Sequence, residues 1–457
     1  MIDQLTKTNP GDTHHDHAEP RMTLTRRRWL VAAATMAGGA ALGRVPVRAR
    51  QATPEATPLV AGHDWRGEHW VGSWARGMVI PSPAIANEVA NEIFELGDRT
   101  LRQIVRLSTG GEQIRIRLAN TFGDQPIVVG AASVALRDHD EAIDPASAHD
   151  VTFSGLPGAT IPANAIVLSD PVDVSVSNLA ELAISLYFPE ATTGSTVHGL
   201  AFQTNYISSA GDFTKEAVLP VETAMQSWVF LTGVDVDVAA PRGAIVCLGD
   251  SITDGELSTP DTNHRWSDIL ADRLAAAQEA MPGVLNLGIA GDRVLHNAPD
   301  KYPLYGRSAL ARFDRDVLAQ PGVSHVIVFE GINDIALPGF DAAAAEAVTA
   351  DQLIAGLRQL AERAHEHGIV AYVSTITPYE GSDVYTAQGE AIRTAVNDWI
   401  RRGDAFDAVI DFDAVVRDPD HPTRHLAAYD GGDWLHFSDA GYKAMAESLD
   451  LAWFYPD

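Results

Sequence analysis

Cysteine and positive charge are scarce in this chain of 457 residues. Its one cysteine, Cys247, excludes an intramolecular disulfide, so the fold depends on its packed core. The apolar run 244–248 around Cys247 predicts a buried strand residue and not a reactive thiol. Lys and Arg number 33 against 61 Asp and Glu, which gives a formal net charge of −28. Such a surface repels nucleic acid and anionic lipid headgroups, so we expect a neutral substrate and no nucleic-acid partner.

The apolar stretch near the N-terminus is too short to span a membrane. It covers residues 29–42, whereas a spanning helix needs about 20 residues. Arg26, Arg27 and Arg28 precede it and small residues follow, a pattern typical of a secretory signal and similar to the twin-arginine type. We therefore predict export across the cytoplasmic membrane by the twin-arginine route, cleavage near Ala49 and no stable membrane anchor. An uncleaved anchor is the alternative.

Motifs for metal and cofactor chemistry are absent after residue 50. The sequence there has no His-Glu-x-x-His zinc motif, no phosphate-binding glycine loop and no Gly-x-Ser-x-Gly elbow. The histidine-rich run 14–17 lies ahead of the export signal and would be removed with it. We therefore expect neither a metal nor an organic cofactor.

The pattern of the chain predicts four segments: a signal peptide at 1–50, a linker at 51–62, a β-sandwich domain at 63–240 and an α/β domain at 241–457. Residues 101–107 and 114–118 alternate apolar and polar side chains, as strands with one buried face do, and 109–112 suits a hairpin turn between them. Further predicted strands lie at 127–134, 182–188 and 228–234. Many short strands predict a jelly-roll-like sandwich. We interpret Arg102, Arg106, Arg115 and Arg117 as a solvent-facing strand surface, with an anion site as the alternative.

Apolar strands alternate with helical patterns from about residue 242. The predicted strands are 244–248, 284–287, 325–329, 370–374 and 408–410, and the predicted helices lie near 264–280, 307–318, 349–367, 386–402 and 438–451. This alternation predicts a parallel sheet with helices on both faces, which binds ligands at the carboxyl ends of its strands.

Two short motifs supply a nucleophile and a base. Gly249-Asp250-Ser251 follows the first predicted strand, where a serine hydroxyl would lie beside outward-pointing backbone N–H groups. Asp433-Trp434-Leu435-His436 precedes the last predicted helix, and an aspartate three residues before a histidine can hold its second ring nitrogen. Alone, the first motif also suits a helix-capping serine and the second an ordinary surface loop.

Two further motifs supply donors for an oxyanion. Gly291 follows the second predicted strand and could offer a bare backbone N–H, and Asn333 follows the third with a side-chain amide. Each is also compatible with a plain turn. Three of the four motifs lie at the ends of successive predicted strands, and the fourth precedes the last predicted helix. Together they provide a nucleophile, a base with its orienting group and oxyanion donors, which is a complete set for acyl transfer.

With these residues the chain resembles the SGNH hydrolases, also called the GDSL esterase/lipase family, over roughly 242–457. The four letters match Ser251, Gly291, Asn333 and His436, while Phe437 stands where many members have proline. The resemblance implies a flavodoxin-like α/β/α fold and an oxyanion hole formed by the N–H groups of Ser251 and Gly291 with the Asn333 amide. Residues 314–318 and 330–334 are similar to a secreted subgroup that carries an N-terminal β domain and includes aryl esterases encoded beside xylan-degrading enzymes.

The sequence therefore predicts a secreted serine esterase with Ser251, His436 and Asp433 as its catalytic residues. The expected substrate is a small-molecule or polysaccharide ester with a short acyl group. Asp250, Trp266 and Trp434 are candidates for substrate binding, and Tyr302 and Tyr379 also flank the motifs. Core packing is the alternative for these aromatic residues. The alternative functions are a lipase or phospholipase of the same family and a carbohydrate-binding protein with an inactive hydrolase domain.

Overall fold

The computed structural model describes residues 69–81, 95–239, 243–278, 280–339, 341–403 and 405–455. The predicted export signal at 1–50 and the linker at 51–62 lie outside these residues. In the described part of the chain, no helix has the length and apolar character needed to cross a membrane.

The first half of the described chain is built from antiparallel strands. They are β1 (Trp70–Ala75), β2 (Arg99–Arg106), β3 (Gln113–Ala119), β4 (Ile127–Val129), β5 (Ala131–Leu136), β6 (His149–Asp150), β7 (Ala159–Ile161), β8 (Ile166–Leu168), β9 (Glu181–Phe188), β10 (Val197–His198), β11 (Asn205–Ala210), β12 (Val221–Met225), β13 (Trp228–Val229) and β14 (Leu231–Asp237). One sheet has the order β1-β14-β3-β8 and a second has the order β12-β11-β2-β9-β5-β6. Apolar side chains from both sheets share one core, as in a β-sandwich.

The predicted hairpin at 109–112 is wrong. The strands on either side of it, β2 and β3, belong to different sheets, so the segment between them crosses from one layer to the other. The backbone of Gly111 pairs with Val176 instead, in both directions. Alternation identifies two half-buried strands, but it does not tell whether they pair with each other or face each other across a core.

Arg102 of β2 is not on a solvent-facing surface. Arg102 is fully buried and donates to the carbonyl oxygens of Glu141 (2.7 Å) and Glu216 (2.8 Å). These two residues lie in loops that cover the outer face of the six-stranded sheet. The polar face of β2 is therefore buried under connecting segments, which alternation along the strand does not reveal.

The second half contains a parallel five-stranded sheet with helices. Its strands are β15 (Ala244–Gly249), β16 (Gly283–Gly288), β17 (Val323–Phe329), β18 (Val370–Ser374) and β19 (Ala408–Ile410). Its helices are α1 (Ser251–Asp254), α2 (Trp266–Ala277), α3 (Ala309–Phe313), α4 (Ile332–Ala336), α5 (Ala350–Glu366), α6 (Ala387–Arg402), α7 (Phe412–Val416) and α8 (Asp439–Glu447). The strand order β16-β15-β17-β18-β19 is the flavodoxin-like order 2-1-3-4-5, so the predicted fold class is confirmed.

The strands β15 and β16 are buried at every residue, and β17, β18 and β19 are buried except at their first one or two residues, which explains their continuous apolar runs. Every residue of β15, including Cys247, is buried. Helices α2, α7 and α8 pack on one another, as do α3, α5 and α6, and these two groups flank the sheet. Helices α1 and α4 follow strand ends directly and are only four and five residues long, so they have no periodic pattern in the sequence.

The β region packs directly against the α/β region, and the described residues of both belong to one compact unit. The two backbones touch at Gly283, where a Cβ atom would lie 1.9 Å from the carbonyl oxygen of Gly72. Two arginines of the predicted exposed set also lie at this contact: Arg106 donates to Asp272 on α2 (2.6 Å), and Arg117 donates to Gln320 (2.7 Å). The boundary predicted at 240 falls between β14 and β15 and remains a prediction.

Candidate active site

Ser251 is the first residue of α1, at the point where β15 ends. The side chain of Asp250 caps this short helix by accepting a hydrogen bond from the Ile252 N–H (2.9 Å). The helix ends at Gly255, whose φ of 101° is left-handed. Ser251 is thus held at the carboxyl edge of the parallel sheet, where the alternating pattern predicted a ligand site.

A chain of hydrogen bonds links Ser251, His436 and Asp433. The Ser251 Oγ lies 2.8 Å from His436 Nε2, and His436 Nδ1 lies 2.6 Å from Asp433 Oδ2. The other carboxylate oxygen of Asp433 accepts the backbone N–H groups of Leu435 (2.9 Å) and His436 (2.8 Å). The aspartate therefore holds both the loop and the ring, and the structure brings these three predicted residues together.

The charges around the imidazole favour its protonated form. Burial by itself lowers the pKa of His436, but the carboxylates of Glu256 and Asp433 outweigh burial and raise this pKa above the ordinary value. Burial likewise opposes ionisation of Asp433, yet the hydrogen bonds from His436 and Leu435 bring the pKa of that carboxyl below its usual range. Proton transfer from Ser251 to His436 would therefore produce an imidazolium that is already stabilised.

Gly291 and Asn333 lie on loops that are tied to each other. Asn333 Nδ2 donates to the carbonyl oxygen of Asp292 (3.0 Å), the residue after Gly291. Gly291 has a φ of 79°, and a Cβ atom there would lie 2.2 Å from the Tyr305 ring, so both conformation and space require glycine. The Asn333 amide has a second N–H besides the one that holds this loop.

A buried arginine fixes the strand ends behind these loops. Arg312 donates to the carbonyl oxygens of Gly249 (3.0 Å) and Leu287 (2.7 Å), at the ends of β15 and β16. It also pairs with the fully buried carboxylate of Asp292 (2.6 Å) and with that of Glu330 (3.3 Å). One cation with two buried carboxyl groups therefore holds three strand ends in register.

Of the three candidates for substrate binding, two are buried away from any ligand. Trp266 is fully buried and packs edge-on against Phe412, with ring centroids 5.7 Å apart, so the expected substrate contact does not hold for it. Asp250 is 1% exposed and serves as the cap of α1, and burial raises its pKa to about 7. Asp250 lies within the nucleophile motif and Trp266 flanks the motifs in the sequence, but both side chains are buried.

Trp434 lies in the loop that carries Asp433 and His436, two residues before the base. It is partly buried, has a left-handed φ of 59°, and stacks on His425 with centroids 5.5 Å apart. The Arg424 guanidinium lies 4.7 Å from the Trp434 ring centre. Of the other flanking aromatic residues, Tyr379 is buried, whereas Tyr302 is partly buried and stacks on Tyr305.

Two residues near the site carry no signal in the sequence. His198 of β10 reaches across from the β region, and its Nε2 lies 2.9 Å from Asp254 Oδ1 at the end of α1. Glu256 follows the same helix, and its Oε2 lies 3.4 Å from His436 Nε2. A local sequence pattern identifies neither residue, because the partner that each contacts lies more than fifty residues away in the sequence.

Residues 245–449 match the model of the family described as GDSL-like lipase/acylhydrolase. Over these residues the α/β region, called the GDSL region below, is similar to the GDSL lipase/acylhydrolase family. Its strand order and the position of Ser251 after the first strand agree with this similarity. A search among curated proteins found no significant match.

Several solved structures resemble the GDSL region. A lipase/acylhydrolase from Enterococcus faecalis is 21% identical, with 45% of this chain and 92% of that chain covered and a TM-score of 0.34. A carbohydrate acetylesterase family member from Sinorhizobium meliloti is 16% identical, with 46% and 96% covered and a TM-score of 0.35. A GDSL-like lipase from Bacteroides thetaiotaomicron VPI-5482 is 17% identical, with 46% and 87% covered and a TM-score of 0.33.

Proposed function

We propose that the protein is a secreted serine esterase that hydrolyses carboxylic esters through an acyl-enzyme. The observation that carries this proposal is the hydrogen-bonded chain from Ser251 through His436 to Asp433, with distances of 2.8 and 2.6 Å. A nucleophile, a base in contact with it and a group that orients the base are what serine acyl transfer requires.

The reaction starts when His436 Nε2 takes the proton of Ser251 and Oγ attacks the ester carbonyl carbon. The N–H groups of Ser251 and Gly291 and the Asn333 amide receive the negative charge on the carbonyl oxygen. The His436 imidazolium then protonates the leaving alcohol as the bond from carbon to the alcohol oxygen breaks. A water molecule, deprotonated by the same histidine, attacks the acyl-enzyme, and the proton returns to Ser251 Oγ as the acid leaves.

The substrate that we propose is a neutral ester with a short acyl group, such as an acetylated plant polysaccharide. The net charge of −28 supports it, because this charge disfavours anionic substrates. We propose that the partly exposed Trp434, two residues before His436, meets the sugar or aryl group. The arginine run 26–28 and the apolar stretch after it support export by the twin-arginine route. We further propose that the protein belongs to the secreted aryl-esterase subgroup associated with xylan degradation.

The test is hydrolysis of p-nitrophenyl esters from acetate to palmitate by the protein without residues 1–50 and by its Ser251→Ala variant. We expect activity on acetate that falls with chain length and is lost in Ser251→Ala. Ser448→Ala, which removes an exposed hydroxyl at the end of α8, is the matched control and should keep full activity.

The alternatives give different results in the same experiment. A preference for long acyl chains would contradict the proposed short-chain substrate and indicate a lipid ester, as for a lipase or phospholipase. Binding of acetylated xylan without hydrolysis of any ester, in a protein that folds, would contradict the esterase proposal and favour a carbohydrate-binding function.

A further inference from the structure

Glu256 is held beside the nucleophile by its own backbone. Its N–H donates to the carbonyl oxygen of Ser251 (2.9 Å), and its carbonyl oxygen accepts the hydroxyl of Tyr442 (2.6 Å). Tyr442 lies on α8 and is fully buried. Glu256 is thus fixed to the nucleophile on one side and to the helix after the His436 loop on the other.

The carboxylate of Glu256 lies beside the base and is partly exposed. Its Oε2 lies 3.4 Å from His436 Nε2, the ring nitrogen that also contacts Ser251 Oγ, and its side chain is 29% exposed. The next residue, Leu257, has a left-handed φ of 66° and is 43% exposed. This strained turn directs the chain outwards immediately after Glu256, a kind of conformation that tends to persist at functional sites.

We propose that Glu256 is a positioning residue that, with Asp433, holds the protonated imidazole of His436 between two carboxylates. The proposal rests on the proposed esterase function and deepens it. Glu256 neither gains nor loses a proton in the reaction: the proton passes from Ser251 Oγ to His436 Nε2 and then to the leaving oxygen. Its carboxylate stabilises the positive charge while the proton is on Nε2, opposite the Asp433 contact at Nδ1.

The charged and titratable groups around the imidazole determine the direction in which the pKa of His436 is shifted. Asp433 approaches from its own loop, Glu256 and Asp250 approach from the nucleophile segment, and α8 contributes the neutral Tyr442 hydroxyl. Among these, Glu256, Asp433 and Asp250 raise the pKa of His436 against the effect of burial. Because the base works only when neutral, the acid limb of kcat/KM should lie above the ordinary imidazole pKa of about 6.5.

Removing the carboxylate should move that limb to lower pH. Even with the dielectric constant of water, a unit charge 3.4 Å away changes a pKa by about one unit, and the burial of His436 strengthens the interaction. Glu256→Gln should therefore lower the acid-limb pKa by about one pH unit or more. Glu256→Asp should restore part of the shift, because it keeps the charge on a shorter side chain. Glu362→Gln, which removes an exposed carboxylate on α5, should leave the profile unchanged. An unchanged acid limb in Glu256→Gln would overturn the proposal.

A second measurement does not depend on turnover. NMR titration of the His436 ring in Ser251→Ala, assigned by comparison with Ser251→Ala/His436→Asn, gives its pKa directly. Addition of Glu256→Gln should lower that pKa by about one unit. An unchanged pKa contradicts the role of Glu256 whether or not the protein is an esterase, whereas a lowered pKa in a protein that hydrolyses no ester supports the contact and contradicts only the proposed reaction.

Discussion

The side-chain amide of Asn333 has two hydrogens and two tasks. One hydrogen holds the Gly291 loop through the Asp292 carbonyl (3.0 Å), and the other is proposed to meet the oxyanion. Both tasks depend on one buried side chain, which is 7% exposed. A donor that is aligned before the reaction contributes most when charge develops on the substrate oxygen.

Asn333→Ala should therefore reduce kcat much more than it changes KM. Loss of one oxyanion donor costs a factor of about 10²–10³ in rate. The loss of the hydrogen bond to Asp292 should reduce the free energy of unfolding by about 1 kcal/mol, so the variant should still fold. Steady-state kinetics on p-nitrophenyl acetate, with circular dichroism as the check on folding, measure both effects. A folded variant with unchanged kcat would remove Asn333 from the oxyanion hole.

Helix α1 is too short to hold its own orientation, and a strand of the β region supports it. His198 on β10 contacts the Gly77 carbonyl through Nδ1 (2.7 Å) and Asp254 through Nε2 (2.9 Å). Both side chains of this pair are 2% exposed. The His198 ring therefore connects β10 and the Gly77 segment to the end of α1, the helix that begins with Ser251.

His198→Leu should leave the Asp254 carboxylate buried without this partner. Removing one member of a buried pair costs about 3–5 kcal/mol, so we expect a fall in thermal midpoint on the order of 10 °C together with a lower kcat. His421→Leu, at an exposed histidine, is the matched control and should change neither quantity. Differential scanning calorimetry and p-nitrophenyl acetate hydrolysis test the two effects. A stable variant with normal activity would show that α1 needs no such support.

The elements that the sequence predicts well are those whose environment is uniform along the chain. The parallel strands β15 to β19 appear as continuous apolar runs because both of their faces are buried, and α5 and α6 appear through their amphipathic period. The predictions of a hairpin at 109–112 and of an exposed Arg102 are wrong, because each feature depends on which distant segments pair with a strand or cover it.

The residues of the candidate site also separate into those that local sequence motifs predict and those that only the fold reveals. Ser251, Gly291, Asn333 and the Asp433 to His436 segment follow from local motifs at strand ends. His198, Glu256 and Arg312 do not, because their contacts join segments that only the fold brings together.

The β region and the GDSL region should unfold together. Their contact includes the Arg106–Asp272 pair (2.6 Å), the hydrogen bond from the Val284 N–H to Ser108 Oγ (2.8 Å) and the buried His198 bridge. Separate unfolding would leave these polar groups and the edge of the parallel sheet without partners. We therefore expect a single calorimetric transition for the protein without residues 1–50. Two resolved transitions would mean that the regions are energetically independent.

Buried carboxyl groups should make the folded protein less stable as pH rises. Burial raises the pKa of Asp250 and Asp334 to about 7 and that of Asp292 to about 6, and it also raises that of Glu330. Since unfolded carboxyl groups titrate near 4, the folded state binds more protons than the unfolded state between these values. The stabilising contribution of these groups is complete below about pH 4 and is lost as pH rises through 6 and 7. The raised pKa of His436 acts in the same direction.

The thermal midpoint should therefore decrease as the pH rises from 5 to 8. Glu330→Gln should make this decrease smaller. Glutamine has the shape of the protonated glutamic acid, and its side-chain oxygen can still accept from Arg312, so it keeps that contact while removing one titrating group. Glu362→Gln, an exposed carboxyl on α5, should follow the slope of the unmodified protein. Calorimetry at unit steps of pH measures the three slopes. A midpoint that rises with pH would contradict the neutral state of these carboxyl groups, and a Glu330→Gln slope equal to that of the unmodified protein would remove Glu330 from among them.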